Sequence, residues 1–132
     1  MLYLDASAFV KRYIEEEGSD LLVKTMEASR VFSTCRICFV EAVRAIATGG
    51  DSGDVKKMES EWDLLNVVEV DRSLTELAAG LAVSRGLRSL DALHLASALS
   101  VPADDLVFAT WDARLHRAAR AEGLETLPAE LV

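Results

Sequence analysis

Cysteine, histidine and positive charge are all in short supply in this chain. The two cysteines, Cys35 and Cys38, stand three positions apart on one expected helix. That placement suits reduced thiols in a reducing compartment better than a disulfide framework. A zinc site needs about four ligands at recognisable spacing, and the histidines His94 and His116 are remote in sequence from both cysteines. No uninterrupted apolar run reaches the roughly 18 residues of a membrane helix, because His94 breaks the best candidate, Ala92 to Ala103. The amino terminus lacks the order of a signal peptide, since Asp5 splits its apolar stretch and Lys11-Arg12 follows that stretch. A cytoplasmic protein with no membrane association is expected. With 14 basic against 22 acidic residues the net charge is −8, which argues against broad electrostatic attachment to nucleic acid. There is no internal repeat, low-complexity tract or linker.

What is present is apolar and helix-favouring. Hydrophobic residues make up 51% of the 132 positions, with Leu and Ala abundant, so a disordered chain is excluded. One domain, 1–132, is expected, large enough to remove roughly two-thirds of its unfolded surface from water. Leu2-Tyr3-Leu4-Asp5 reads as a short strand, followed by a helix to about Glu15 that Asp5 or Ser7 caps. A second helix runs to about Ala28, with Leu21, Leu22, Thr25 and Met26 at helical spacing, and Val31 to Thr34 reads as a strand.

Cys35 to about Thr48 is helical and stops at Gly49-Gly50. Asp51 to Leu65 is an amphipathic helix with Val55, Met58, Trp62 and Leu65 on its apolar face. Asn66 to Val70 is a third strand. Leu74, Leu77, Ala78, Leu81 and Ala82 form a helical stripe to about Ser84. Ser89 to Ser100 is a helix capped by Ser89, Leu106 to Ala109 a fourth strand, Asp112 to Ala121 a helix, and Glu125 to Leu127 a fifth strand. This alternation implies an α/β fold whose central, mainly parallel sheet of four to five strands is covered on both faces.

Asp5, Glu41, Asp91 and Asp112 each interrupt an apolar segment. A buried carboxylate is costly unless it is paired or binds a metal, and one divalent cation would explain all of them. In a parallel sheet, ligands bind at the carboxyl ends of the strands. Asp5 ends the first strand and Asp112 follows the fourth. Helical spacing groups Asp91 with His94, Leu95 and Ala98, and Glu41 with Ile37, Cys38 and Ala45, so both acids are expected to point inward.

Without a counterion such a cluster repels by about 4 kcal/mol per close pair at an intermediate dielectric. Mg²⁺ or Mn²⁺ prefers carboxylate and water oxygens and would reverse this. Simpler readings exist for each acid: Asp5 as a helix cap, Glu41 paired with Arg44, Asp91 bonded to His94 or a backbone amide, and Asp112 drawn to a helix dipole. The carboxylates lack a suitable histidine or serine nucleophile pair, which favours a metal-activated water over a metal-free route through a cyclic phosphate.

The segments Leu2-Tyr3-Leu4-Asp5-Ala6-Ser7-Ala8, Val40-Glu41-Ala42 with Arg44-Ala45, Leu90-Asp91-Ala92-Leu93-His94-Leu95-Ala96, and Thr110-Trp111-Asp112 with Leu115, Ala118-Ala119 and Gly123 resemble those of PIN-domain ribonucleases, specifically the VapC-type toxins of toxin–antitoxin pairs. They span nearly the whole chain in family order, while Asp51 to Arg88 matches only in pattern. The resemblance implies a three-layer α/β/α PIN-like fold and a metal-dependent endoribonuclease acting on RNA. It makes Asp5, Glu41, Asp91 and Asp112 the catalytic and metal-binding acids, with Ser7 and Thr110 as polar supports. It also implies a homodimer silenced by a small VapB-like antitoxin whose tail covers the active site.

Rival readings are a housekeeping nuclease of the same fold without an antitoxin, and a non-catalytic binding module that keeps a metal for stability. Cys35-Arg36-Ile37-Cys38 has the placement of a thioredoxin-like redox site, but buried core thiols explain it better. A phosphatase with Asp5 as nucleophile would want a second aspartate where Ser7 stands. His116 is expected on the surface among Arg114, Arg117 and Arg120, a row that is either a solvated face or part of an RNA rim. Trp111 is the better candidate for base stacking, and Trp62 belongs to the core or a dimer interface.

Overall fold

The side chains of Leu2, Tyr3 and Leu4 are almost completely buried, so the opening strand has no solvent face. In the computed structural model, which describes residues 1–131, this strand (β1, Leu2–Leu4) is the centre of a five-stranded sheet. The others are β2 (Phe32–Cys35), β3 (Asn66–Val68), β4 (Val107–Ala109) and β5 (Glu125–Leu127), in the order β3-β2-β1-β4-β5. Every pairing is parallel, with Tyr3 opposite Ser33 on one side and Phe108 on the other. A parallel sheet needs crossovers that cover both faces.

Alternation along the strands separates two cores. Leu2 and Leu4 pack with Phe9, Leu22, Cys38, Ala42, Ile46 and Met58, whereas Tyr3 packs with Leu74, Ala78, Leu95, Phe108 and Leu115. The first core lies under α1 (Ala6–Phe9, continued by a 3-10 turn over Val10–Arg12), α2 (Ser19–Glu27), α3 (Cys38–Gly49) and α4 (Ser52–Glu61). The second lies under α5 (Arg72–Arg85), α6 (Ser89–Ser100) and α7 (Ala113–Ala121). The three-layer α/β/α arrangement is therefore as expected, and Val55, Met58, Trp62 and Leu65 do face the first core. No helix among the described residues is long and apolar enough to cross a membrane.

Several local expectations are corrected. The first helix stops at Arg12 instead of Glu15, where the chain turns so that Ser19 Oγ donates to the Ile14 carbonyl and accepts from the Glu16 amide. Cys35 ends β2 and only Cys38 begins α3, so the cysteines do not share a helix. Ser89 is the first residue of α6, not its cap, which is Arg88 without a side-chain bond. Leu21 and Leu77 are exposed. His116 is buried, its Nε2 2.7 Å from the Pro128 carbonyl, because α7 turns that side chain under the segment after β5.

Candidate active site

Strand order reverses on the two sides of β1: the chain moves outward to β2 and β3, then returns to place β4 and β5 on the other flank. A crevice opens at the carboxyl edge of such a switch point, here between β1 and β4. Asp5 is the residue after β1, and Thr110, Trp111 and Asp112 follow β4.

Asp5 is only 3% exposed. Its Oδ1 accepts from Ser7 Oγ at 2.7 Å and from the Ala8 amide at 2.9 Å, which makes Asp5, not Ser7, the cap of α1. Its Oδ2 accepts from Thr110 Oγ1 at 2.5 Å. The same hydroxyls bind the second loop: Ser7 Oγ accepts from the Trp111 amide at 2.9 Å, and Thr110 Oγ1 from the Asp112 amide at 3.1 Å. Ser7 and Thr110 thus lace the two strand ends together around the Asp5 carboxylate. Burial raises the pKa of Asp5, opposed by His94 and by the bonds from Thr110, Ser7 and Ala8. Of about four lone-pair positions on a carboxylate, one on Oδ2 is left open.

Asp112 caps α7, its Oδ1 accepting from the Leu115 amide at 2.9 Å. Asp91, in the first turn of α6, is half-buried, and its carboxyl is pushed up by burial, then by the charges of Asp112 and Asp5. Neither His94 nor a backbone amide bonds it among the described residues. Glu41 lies on α3, pairs with His94 Nε2 at 2.7 Å instead of with Arg44, and lines a groove of about 500 Å³ with Ser7, Val10, Arg44 and Leu90. Glu41 and Asp91 are partly buried at the crevice walls rather than inside the core.

Asp5, Asp91 and Asp112 therefore act on one another electrostatically, and His94, which bonds Glu41, acts on Asp5 and Asp91. Among the described residues no three His, Cys, Asp or Glu side chains stand close enough to enclose a metal ion unaided. The donor chemistry still fits Mg²⁺ or Mn²⁺, which usually takes one or two carboxylates and completes its shell with water and phosphate oxygen.

A model of the PIN domain matches residues 2–121. Ribonuclease VapC49 of Mycobacterium tuberculosis is 35% identical over 140 residues, covering 99% of this chain and 97% of that protein. The chain belongs to the VapC-type PIN ribonucleases. Solved structures share its fold. FitAcB from Neisseria gonorrhoeae matches with a TM-score of 0.68 at 15% identity, covering 96% of both chains. A toxin–antitoxin complex from Klebsiella pneumoniae matches with a TM-score of 0.66 at 15% identity, over 84% of this chain and 85% of that one.

The redox reading fails in this VapC-type fold, since Cys35 and Cys38 are both fully buried and burial pushes the Cys38 thiol far up. Trp111 lies half-buried under Lys11, whose Nζ is 5.0 Å from the ring centroid. Arg114 and Arg117 line a cleft of about 330 Å³ with Arg85, between α5 and α7. Sequence reasoning missed one residue of the site. Helical spacing groups His94 only with Asp91, yet its ring is buried at 1% exposure and joins Glu41 to Tyr3. A histidine on an otherwise apolar helix face was the available signal.

Proposed function

We propose that this VapC-type chain is the endoribonuclease toxin of a type II toxin–antitoxin module, using Mg²⁺ or Mn²⁺ bound among Asp5, Glu41, Asp91 and Asp112, one or two of them directly and the others through water. The observation that carries the reading is the buried Asp5 carboxylate at the sheet's switch point, tied by Ser7 and Thr110 to the loop that bears Asp112, with the charge of Asp91 acting on the same place. That is an anionic pocket in need of a hard cation. Such an ion polarises the scissile phosphodiester and lowers the pKa of a bound water.

The chain's own groups do the remaining work. Ser7 and Thr110 hold the Asp5 carboxylate in one orientation, with one position on Oδ2 unfilled among the described residues. Arg114, two residues beyond Asp112, and Arg117 offer phosphate contacts along α7 and provide the local basic rim that a chain of net charge −8 requires. Hydrolysis adds water oxygen to phosphorus and breaks the bond to the 3′ oxygen, which takes up a proton. The products are a 3′-hydroxyl and a 5′-phosphate.

The antitoxin is expected to insert an arginine, whose planar guanidinium pairs bidentately with carboxylates. Exposed apolar side chains, among them Val40, Leu64 and Val83, give the antitoxin or a second copy in a homodimer apolar surface to cover. The purified protein should cleave RNA with Mg²⁺ or Mn²⁺, lose cleavage in EDTA, and lose it in Asp5→Asn and Asp91→Asn. Cleavage undiminished by excess EDTA would overturn the metal-dependent reading. Antitoxin binding should weaken in Asp91→Ala, and full-strength binding would exclude an arginine plug at these acids.

A further inference from the structure

Glu41 differs from the other three acids in how it is held. Asp5 and Asp112 are anchored by backbone amides as helix caps, whereas Glu41 and Asp91 both sit in a first turn, and no side-chain hydrogen bond holds Asp91 among the described residues. Glu41 is on a longer side chain with more rotatable bonds, 21% exposed at the crevice wall, and its one hydrogen bond among the described residues comes from His94. Unrestrained, such a side chain samples several rotamers and must lose that freedom whenever it binds anything.

The histidine is itself fixed from behind. Tyr3 Oη lies 2.8 Å from His94 Nδ1, and the two rings meet edge to face with centroids 5.9 Å apart. The Tyr3 ring stacks on Phe108 of the adjacent strand, 5.2 Å between centroids and 5° between planes. Tyr3 and Phe108 are fully buried, and His94 is 1% exposed. The line from sheet to crevice is therefore β4 ring, β1 ring, α6 imidazole, α3 carboxylate.

An ionised carboxylate only accepts hydrogen bonds, so Nε2 must carry the proton that meets Glu41. On the other side of the ring Nδ1 meets the Tyr3 hydroxyl at 2.8 Å, and a hydroxyl can serve that nitrogen as donor or acceptor. Both ring nitrogens are therefore occupied, which fixes the ring plane and aims Nε2 at Glu41.

We infer that His94 is a positioning residue for Glu41, its ring held from behind by Tyr3 with Nε2 facing Glu41, so that the Glu41 carboxylate is preorganised for the divalent cation. This deepens the proposed function and rests on it. Groups that orient a metal-ligating side chain in this way are typically worth about 10- to 100-fold in metal affinity or activity. His94 touches no substrate in this arrangement; it acts through Glu41. Tyr3 acts through His94.

The test is Mn²⁺ binding to the metal-free full chain by calorimetry, alongside RNA cleavage, for wild type, His94→Leu, His94→Gln and Tyr3→Phe. Gln places an amide N–H near the Nε2 position, whereas Leu fills the space without a donor. The expected result is a loss of about 10- to 100-fold in Mn²⁺ affinity for His94→Leu, affinity largely recovered in His94→Gln, and a smaller loss in Tyr3→Phe. A folded His94→Leu that binds Mn²⁺ like wild type overturns the inference while leaving the nuclease reading in place. A wild type that neither binds Mn²⁺ nor cleaves RNA overturns the nuclease reading first. Should His94→Leu fail to fold, ¹⁵N NMR of the wild-type imidazole decides: a protonated Nε2 whose signal moves on Mg²⁺ addition supports the inference, and an unprotonated Nε2 or a signal indifferent to Mg²⁺ refutes it.

Discussion

Replacing Thr110 by valine isolates the bond that supports the buried Asp5 carboxylate. Valine matches the shape of threonine but removes the hydroxyl that donates to Oδ2 at 2.5 Å, in a residue with no solvent exposure. A hydrogen bond to a charged group contributes about 1.5 to 3 kcal/mol. The Asp112 amide also loses its 3.1 Å acceptor, but that residue is half-buried and water can replace the bond. The net loss in metal-free protein at neutral pH is therefore about 2 to 3 kcal/mol, or a fall of about 1 to 2 M in the urea midpoint.

The loss should depend on pH in a set direction. Asp5 has a folded pKa above its ordinary value of 3.8, raised by burial and held back in part by Thr110. Between those two values the folded state binds a proton that the unfolded state does not, so stability rises as pH falls through the window. Without the Thr110 bond the folded pKa rises further, the variant recovers more, and the gap between the two proteins narrows toward about 1 kcal/mol, the contribution of a neutral hydrogen bond. Urea titrations in EDTA at several pH values, followed by tryptophan fluorescence, measure this. A gap below about 0.5 kcal/mol at neutral pH, or one that widens on acidification, would show that Thr110 does not support a charged Asp5.

Gly18 has φ of +92°, and a Cβ there would stand 2.6 Å from Trp111 Nε1, so Gly18→Ala should lower stability by more than about 1 kcal/mol and shift tryptophan emission; an unchanged midpoint and spectrum would mean that the turn does not press on Trp111. Glu61 accepts from Arg12 at 2.7 and 3.2 Å and from Tyr13 at 2.8 Å, and its carboxyl lies below the ordinary 4.5, chiefly through the Arg12 bond. Its contribution is full above 4.5 and is lost as pH falls through the lowered folded value, so Glu61→Gln should reduce stability by about 1 kcal/mol at neutral pH and by much less in acid, and a cost that persists in acid would refute this. The buried thiols of Cys35 and Cys38 should resist a disulfide reagent until the chain is unfolded, and rapid labelling of native protein would contradict their burial.

Local sequence was enough wherever one element carried the information. Binary pattern placed the strand before Asp5, the helix from Ser89 to Ser100 and the apolar face of Val55, Met58, Trp62 and Leu65, because burial of one face is written in residue spacing. The four acids stand out for the same reason, since a carboxylate inside an apolar run breaks the pattern, and their joint role is part of the proposed function. Tertiary structure decided what the pattern does not encode. The sheet order β3-β2-β1-β4-β5 puts Asp5 and Thr110, 105 residues apart in sequence, within one hydrogen bond. His116 is buried because the segment after β5 folds over it, and Cys35 remains in a strand because its backbone joins the ladder beside Val68. Most of all, the line from Tyr3 through His94 to Glu41 joins β1, α6 and α3 across both layers. Hydrogen-bond partners so distant in sequence leave no periodic trace, since their proximity depends on how the helices cross the sheet.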